Sequence, residues 1–199
     1  MSLDEAPICL SGGAEGADLQ FGMCAGAAGH SVFHFSFPGH KSQAPASEVV
    51  VLTREQLVMA DAYLVLANQT LKRTFPAKSE HTNNLLRRNY YQAKDTESVY
   101  AVAGIDFSNK VLFGGTAWAV QVFIDRHFGQ ACPVYVFDQE QDRWFTWGGP
   151  EAGWTALQGD PPKPKGVWTG IGTSRQFKPN GKAAVRRLLD YTPPETQAA

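Results

Sequence analysis

The chain has 199 residues, 43% of them apolar and 19% charged, and carries a formal net charge of -1. This length can bury one hydrophobic core, so we expect a single domain over residues 1–192 and a flexible tail over residues 193–199. The near-neutral charge argues against a general polyanion binder, which needs a strongly basic face, and no apolar run approaches the roughly 18 residues of a membrane span.

Strands and helices alternate along most of the sequence. In chain order we predict a strand over residues 7–10, a helix over 15–28, a strand over 31–37, helices over 54–72 and 80–93, a strand over one or both of 99–102 and 110–113, a helix over 117–128, strands over 133–138, 143–147 and 167–169, and a helix over 180–191. Residues 62–66 also suit a strand, Ser79 is the expected cap of the helix after it, and residues 148–165 are expected to be irregular. Such alternation predicts an α/β fold with a mostly parallel sheet covered by helices on both faces.

Three glycine-rich turns each follow a short apolar run. They are Ser11-Gly12-Gly13-Ala14-Glu15-Gly16-Ala17-Asp18, Gly114-Gly115-Thr116 and Gly170-Ile171-Gly172-Thr173-Ser174-Arg175. A turn without Cβ atoms between a strand and a helix presents backbone N–H groups to an anion. Open α/β sheets bind their ligands at the carboxyl edge. We therefore predict that the phosphate of a nucleotide or a sugar lies across the carboxyl edge of the sheet.

Two familiar phosphate-binding motifs do not fit these turns. A dinucleotide site needs an acidic residue at the end of the second strand, but His40 and Lys41 follow that strand. A P-loop needs Gly-Lys-Ser/Thr, whereas the Gly181-Lys182 pair is followed by alanine inside a predicted helix. The histidines show no metal-ligand spacing, so we predict neither a resident cofactor nor a metal ion.

The first turn resembles the SLOG superfamily, which unites the DNA-processing protein Smf/DprA with the LOG nucleotide phosphoribohydrolases. Its eight residues match the Ser-Gly-Gly-Ala-x-Gly-Ala-Asp signature of small bacterial and phage members. The middle of the chain resembles the LOG enzymes, with Arg88 in the place of the family arginine and Gly114-Gly115-Thr116 in the place of the Pro-Gly-Gly loop. Asn89 replaces the family lysine, and Gln121 stands where the family has its catalytic glutamate.

The resemblance implies a three-layer, Rossmann-like fold with a nucleotide pocket. The expected ligand-binding residues are Ser11, Gly12, Gly13, Gly16, Asp18, Arg88, Gly114, Gly115, Thr116, Gln121, Gly170, Gly172, Thr173 and Arg175. A neutral amide at position 121 can neither activate water well nor stabilise an oxocarbenium ion, which favours a sensor or carrier that binds without turnover. His40 could face the base or ribose, and Trp118 could stack on a base, although core packing is its commoner role.

Two other functions remain open. One is cleavage of the N-glycosidic bond of a nucleoside monophosphate, with Arg88, Glu15 and Glu80 as catalytic candidates, although a carboxylate in the first turn of a helix more often stabilises the helix dipole. The other is single-stranded DNA binding, against which the near-neutral charge counts.

The third turn and the strand before it resemble the first strand and turn of many family members, although here they close the chain. We therefore expect the strand over residues 167–170 to lie beside the strand over residues 7–10. Such a strand order is like that of a circular permutation, which is easily accommodated when chain ends are close in space.

Cysteines and aromatic residues suggest the compartment and the assembly. Cys9, Cys24 and Cys132 are far apart in apolar sequence, and the start of the chain lacks a signal peptide, which favours reduced thiols and a cytoplasmic location. LOG-like proteins are commonly dimers, so we expect a homodimer. The aromatic residues expected in the core or at a subunit interface are Trp144, Phe145, Trp147, Trp154 and Trp168.

Overall fold

Ten strands and seven helices alternate in the computed structural model, which describes residues 6–174 and 176–193. The strands are β1 (Ile8–Ser11), β2 (Ser31–Ser36), β3 (Val49–Val51), β4 (Ser98–Val102), β5 (Ile105–Asp106), β6 (Val111–Leu112), β7 (Val134–Asp138), β8 (Arg143–Trp147), β9 (Trp154–Ala156) and β10 (Val167–Gly172). The helices are α1 (Ala17–Ala27), α2 (Arg54–Met59), α3 (Asp61–Leu71), α4 (Glu80–Ala93), α5 (Thr116–Arg126), α6 (Gly149–Ala152) and α7 (Pro179–Leu188). A 3-10 turn covers Ala46–Glu48.

Eight of the strands form one sheet, in the order β3-β2-β1-β10-β4-β7-β8-β9. The six strands from β3 to β7 in this order are parallel to their neighbours, and β8 and β9 add two antiparallel strands at one edge. β5 and β6 pair with each other as a short antiparallel ribbon. The predicted α/β fold with a mostly parallel sheet is confirmed.

The last strand of the chain lies in the middle of the sheet. β10 pairs with β1 on one side, where Trp168 lies opposite Cys9, and with β4 on the other, where Gly170 lies opposite Tyr100. The prediction that the C-terminal strand lies beside the N-terminal strand is therefore confirmed. The chain leaves β1 toward β2 and leaves β4 toward β7, in opposite directions along the sheet. Open α/β sheets bind ligands at such a divergence of crossovers.

Helices cover both faces of the sheet. Successive residues of a strand point to opposite faces. In β4, Val99 and Ala101 belong to the core cluster that contains side chains of α3, α4 and α5, whereas Tyr100 and Val102 belong to the cluster that contains side chains of α1 and α7. The predicted three-layer, Rossmann-like arrangement is confirmed.

Most of the conspicuous aromatic residues lie in the core. Trp144 and Trp168 are 1% and 0% exposed, and Phe145 and Trp154 are also buried. Trp147 is half-buried and packs against Trp154 with a ring-centroid distance of 5.1 Å. Core packing is therefore confirmed for four of the five aromatic residues, and a role in a subunit interface stays a prediction.

Four stretches differ from their predictions. The helix predicted over residues 54–72 is divided into α2 and α3, which meet at Ala60, and the strand alternative for residues 62–66 is wrong because they lie in α3. Neither β3 nor β5 has a counterpart among the predicted strands. Residues 148–165, expected to be irregular, contain α6 and also β9, which pairs with β8.

Several further expectations concern the chain as a whole. None of the helices within the described ranges has both the length and the apolar character needed to cross a bilayer. Cys9 and Cys24 are buried and Cys132 is half-buried, and all three thiols are free. Arg175 and residues 194–199 of the expected tail lie outside the described residues.

Candidate functional site

A cleft of about 870 Å³ opens at the carboxyl ends of β4, β7 and β10. Its lining comes from the first glycine turn and the start of α1, from α4, from β5, from the turn before α5, and from the turns after β7 and β10. This is the edge of the sheet at which the sequence predicts the ligand, next to the strand where the crossovers diverge.

About half of the predicted binding residues line this cleft. Those in the lining are Asp18, Arg88, Gly114, Gly115, Thr116, Gly172 and Thr173. Those outside the lining are Ser11, Gly12, Gly13, Gly16, Gln121 and Gly170. Arg175 lies outside the described residues.

The middle glycine turn has its carbonyl groups held by two side chains. Arg73 donates from Nη1 to the carbonyl of Gly114 at 2.6 Å and from Nη2 to the carbonyl of Leu112 at 2.5 Å. Asn89 donates from Nδ2 to the carbonyl of Gly115 at 3.0 Å. The turn leads directly into α5, and the first N–H groups of a helix have no acceptor within it. The turn therefore offers backbone donors at the cleft while its carbonyl oxygens are already occupied.

Arg73 is a site residue that sequence reasoning does not reveal. It precedes Gly114 by 41 residues. Its own backbone is fixed by the Asn68 side chain, which donates to the Arg73 carbonyl at 2.7 Å and accepts the Arg73 N–H at 2.8 Å. Asn89 could have been identified as a site residue from the sequence, because it stands where the resembled family has a lysine.

The first and third glycine turns bind each other. Ala17 donates its backbone N–H to the carbonyl of Thr173 at 3.0 Å, and Asp18 Oδ1 accepts the N–H of Gly172 at 2.9 Å. Gly16 lies at the tightest contact, since its φ is +105° and a Cβ there would lie 2.6 Å from the Thr173 carbonyl oxygen. These two turns therefore form a packed wall, and the Asp18 carboxylate, not a ligand, occupies the N–H of Gly172.

Asp18 and Arg88 form a buried ion pair behind the first turn. Arg88 Nη2 lies 3.5 Å from Asp18 Oδ2, and Arg88 Nη1 donates to the carbonyl of Gly12 at 2.7 Å. A side chain at position 12 would overlap both Arg88 and Asp18, so this packing requires a glycine. Burial raises the pKa of Asp18, which the charge of Arg88 opposes, and burial lowers the pKa of Arg88. Arg88 Nε has no acceptor among the described residues, which leaves a buried donor on a residue that lines the cleft.

Two exposed phenylalanines give the cleft an apolar side. Phe107 and Phe113 line it and are 45% and 58% exposed, and Leu85 and Ile105 line it with them. An exposed aromatic ring offers a face on which a flat heteroaromatic group can stack. Phe113 directly precedes Gly114, and this position beside a glycine turn is the one signal in the sequence that could have identified it.

The predicted catalytic carboxylates do not reach the cleft lining. Glu15 is exposed and lies 3.4 Å from Nε2 of Gln43. Glu80 accepts a hydrogen bond from Arg87 at 2.5 Å. Of the three catalytic candidates, the structure brings Arg88 alone to the cleft.

The carboxylates that do line the described part of the cleft are bound within the protein. Besides Asp18, they are Asp138 and Glu140. Asp138 accepts three backbone N–H groups, at 2.8 to 3.2 Å. Glu140 pairs with Lys178 at 2.5 Å. No group of three or more His, Cys, Asp or Glu side chains that could hold a metal ion occurs among the residues described.

Three other residues considered for ligand contact lie elsewhere. Gln121 is buried and donates to Asp125 Oδ1 at 2.8 Å within α5. Trp118 is 3% exposed and packs in the core, as expected for its commoner role. His40 is not in the lining, and its ring stacks on Phe37 at 5.1 Å.

No protein-family model, curated protein or solved structure matches this chain. The resemblance to the SLOG superfamily therefore stays a prediction that rests on the motif residues.

Proposed function

We propose that the protein binds a nucleotide, or a phosphate ligand derived from one, in the cleft, with a phosphate at the Gly114-Gly115-Thr116 turn. The main support for this proposal is the state of the backbone groups of the turn. The carbonyl groups of Gly114 and Gly115 accept hydrogen bonds from Arg73 and Asn89, whereas the N–H groups of the turn lie at the start of α5. A helix start with unpaired N–H donors and a partial positive charge binds phosphate.

The apolar side of the cleft supports a nucleotide over a bare sugar phosphate. Phe113 is adjacent to the turn, so a base stacked on its ring would lie within reach of a phosphate at Gly115. The cleft volume of about 870 Å³ lies within the range of about 300–1,000 Å³ usual for small-molecule sites.

The state of the carboxylates supports binding without turnover, as in a sensor or carrier. Cleavage of an N-glycosidic bond needs a carboxylate that is free to activate water or to stabilise an oxocarbenium ion. Asp18 and Asp138 are buried and engaged within the protein, whereas Glu140 is exposed and pairs with Lys178 at the surface. Gln121 is a neutral amide turned to Asp125.

Single-stranded DNA has less support than a small ligand. Among the described lining residues, Arg88 is the one lysine or arginine, and Asp18 compensates its charge. Binding of a nucleic-acid backbone depends on clustered basic residues. The free thiols of Cys9, Cys24 and Cys132 support the proposal that the protein works in the cytoplasm.

A thermal-shift panel tests this function. The panel contains nucleoside mono-, di- and triphosphates and dinucleotides, with the matching nucleosides, ribose 5-phosphate and inorganic phosphate as controls. A ligand that binds only the folded state stabilises it, by about 2.7 kcal/mol at a hundred times its Kd. We expect at least one nucleotide to raise Tm more than its nucleoside does, without release of free base on chromatography. If no nucleotide raises Tm, the proposal is wrong, and release of free base would establish the glycosidase instead.

A further inference from the structure

Two phenylalanines stand at opposite ends of the β5–β6 ribbon, and both line the cleft. Phe113 lies opposite Gly104, because its N–H donates to the Gly104 carbonyl at 2.9 Å, and Phe107 follows directly after β5. The two backbone positions are therefore three residues apart along the ribbon, which is about 10 Å at the usual rise of a strand. The cleft thus has two separate aromatic surfaces.

Each of the two rings is anchored by a neighbour but stays open to solvent. A Cβ at position 104 would lie 3.1 Å from the Phe113 ring, so this ring packs directly over a glycine. The Phe107 ring packs edge to face against Phe145 at a centroid distance of 5.2 Å. Phe113 and Phe107 are nevertheless 58% and 45% exposed. Aromatic side chains of this kind bind successive bases by stacking, whatever the identity of each base.

A hydroxyl group marks the place for a phosphate beside Phe113. Thr116 follows the two glycines of the turn, is 7% exposed and lines the cleft. Its hydroxyl oxygen has no hydrogen-bond partner among the described residues, yet it is not enclosed by protein atoms, so it is open to the cleft. This donor lies next to the first N–H groups of α5, which favour an anion.

The charges of the described cleft wall do not suit a polyphosphate. Arg88 is the one lysine or arginine among the described lining residues, and it pairs with Asp18. Asp138 and Glu140 add negative charge to the same wall, although Glu140 pairs with Lys178 at the surface. A nucleoside triphosphate brings several negative charges that clustered cations would have to balance. A phosphodiester brings one.

We propose that the ligand of the cleft is a dinucleoside monophosphate, in which one phosphodiester joins two nucleosides. The inference rests on the proposed function and narrows it to one ligand class. The phosphodiester binds at the Gly115 and Thr116 N–H groups, one base stacks on Phe113 beside them, and the other base stacks on Phe107. The cleft volume of about 870 Å³ is near the upper end of the usual range of about 300–1,000 Å³, which suits a ligand with two bases.

Calorimetric titration of the full chain compares one base with two. The probes are ApA, GpG, CpC and UpU, each measured beside its own nucleoside 5′-monophosphate. We expect at least one of the four to bind about fivefold or more tightly than its monophosphate, which is the smallest gain expected from one further stacked base. ATP and GTP should bind no more tightly than AMP and GMP, because the described wall offers no free cation to their additional phosphates.

Substitution of Phe107 assigns the second base. For the pair of probes with the largest gain, Phe107→Ala should bring the ratio of the two affinities to about one, and Phe107→Tyr should keep the wild-type ratio. Phe128→Ala is the matched control, because Phe128 is 83% exposed and lies outside the cleft lining, and the ratio should not change. Circular dichroism of each variant checks that the fold is unchanged.

The outcomes separate this proposal from the nucleotide function on which it rests. Equal affinities within every pair of probes would overturn the second base and leave nucleotide binding intact. A ratio that is unchanged in Phe107→Ala, or reduced as much in Phe128→Ala, would also overturn it. Tightest binding by a triphosphate, or by an oligothymidylate, would contradict a ligand with two bases and one phosphate. If no probe binds at all, the nucleotide function is wrong as well.

Discussion

The carboxylate of Asp18 accepts the backbone N–H of Gly172 at 2.9 Å, and this hydrogen bond joins the first glycine turn of the chain to the last. The two residues are 154 positions apart in sequence, but β1 and β10, which carry the two turns, are neighbours in the sheet. Because a side chain of the protein already occupies this donor, the first and third turns shape the wall of the cleft. The middle turn is the better candidate to receive a phosphate.

The contact between these two turns predicts a stability loss in Gly16→Ala. The residue has a φ of +105°, and its Cβ would press on the Thr173 carbonyl oxygen. We expect the free energy of unfolding in urea to fall by about 1–3 kcal/mol. Gly39→Ala is the control, since Gly39 has a φ of +87° but open space around it, and it should cost less. Equal losses in the two variants would show that backbone strain alone explains the effect.

The hydrogen bonds from Arg73 to the middle turn predict that Arg73→Ala weakens nucleotide binding. Without the guanidinium the carbonyls of Leu112 and Gly114 lose their donors, and the turn no longer holds its N–H groups in place. We expect calorimetry with AMP, or with the best nucleotide of the thermal-shift panel, to give about tenfold weaker binding, which is about 1.4 kcal/mol. Arg143→Ala, at an exposed position on β8, should bind as the wild type does. If Arg73→Ala binds the nucleotide with unchanged affinity, Arg73 does not position the turn for binding.

The exposed ring beside the turn predicts a selective effect of Phe113→Ala. Stacking of a base on an aromatic side chain contributes about 1–3 kcal/mol. The variant should therefore lose affinity for a nucleoside monophosphate but keep its affinity for ribose 5-phosphate, and Phe113→Tyr should bind both. If Phe113→Ala loses both ligands equally, the ring supports the turn and does not contact the base.

Burial of His34 predicts that acid destabilises the fold. The residue is 1% exposed, and both of its ring nitrogens lack a hydrogen bond among the described residues, although Glu48 Oε2 lies 3.6 Å from Nε2. Burial together with Arg88 lowers the pKa of His34 from 6.5 to about 4. Between these two values the unfolded chain takes up a proton that the folded chain does not. The free energy of unfolding should therefore fall as pH drops from about 6.5 to 4, by at most about 3 kcal/mol from this group, because the Glu48 carboxylate favours the protonated ring.

Urea unfolding at pH 7.5 and at pH 4.5 measures this effect. The difference between the two values should be smaller in His34→Gln, which lacks the titrating ring. An equal difference in the wild type and in His34→Gln would assign the acid sensitivity to other groups.

The parts of the fold that depend on local pattern are predictable from the sequence. The apolar run before Gly12 and the helical spacing after Gly16 identify β1 and α1 because both signals lie within a few residues. The Ser79 cap is local as well, and its hydroxyl accepts the N–H of Thr82 at 3.3 Å. The glycine motif at the end of β10 predicts the placement of this strand beside β1. Hydrophobic periodicity alone does not show which strands are neighbours.

The remaining parts depend on contacts between distant segments. Three valines make β3 a strand because β2 offers an edge to pair with, and β9 forms against β8 in a glycine- and proline-rich stretch. No glycine or proline in the sequence marks the division of the predicted helix at Ala60. The roles of Arg73 and Asp18 arise only when β10 and the turn before α5 meet them in space.

A nucleotide titration followed by amide NMR of the ¹⁵N-labelled protein tests the central claim most directly, because it reports each glycine turn separately. We predict that the N–H resonances of Gly115, Thr116 and Ala117 shift most and saturate together with binding, while those of the Gly12–Gly16 turn shift little. Shifts confined to the Gly12–Gly16 turn, or no saturable shift at the start of α5, would contradict the account.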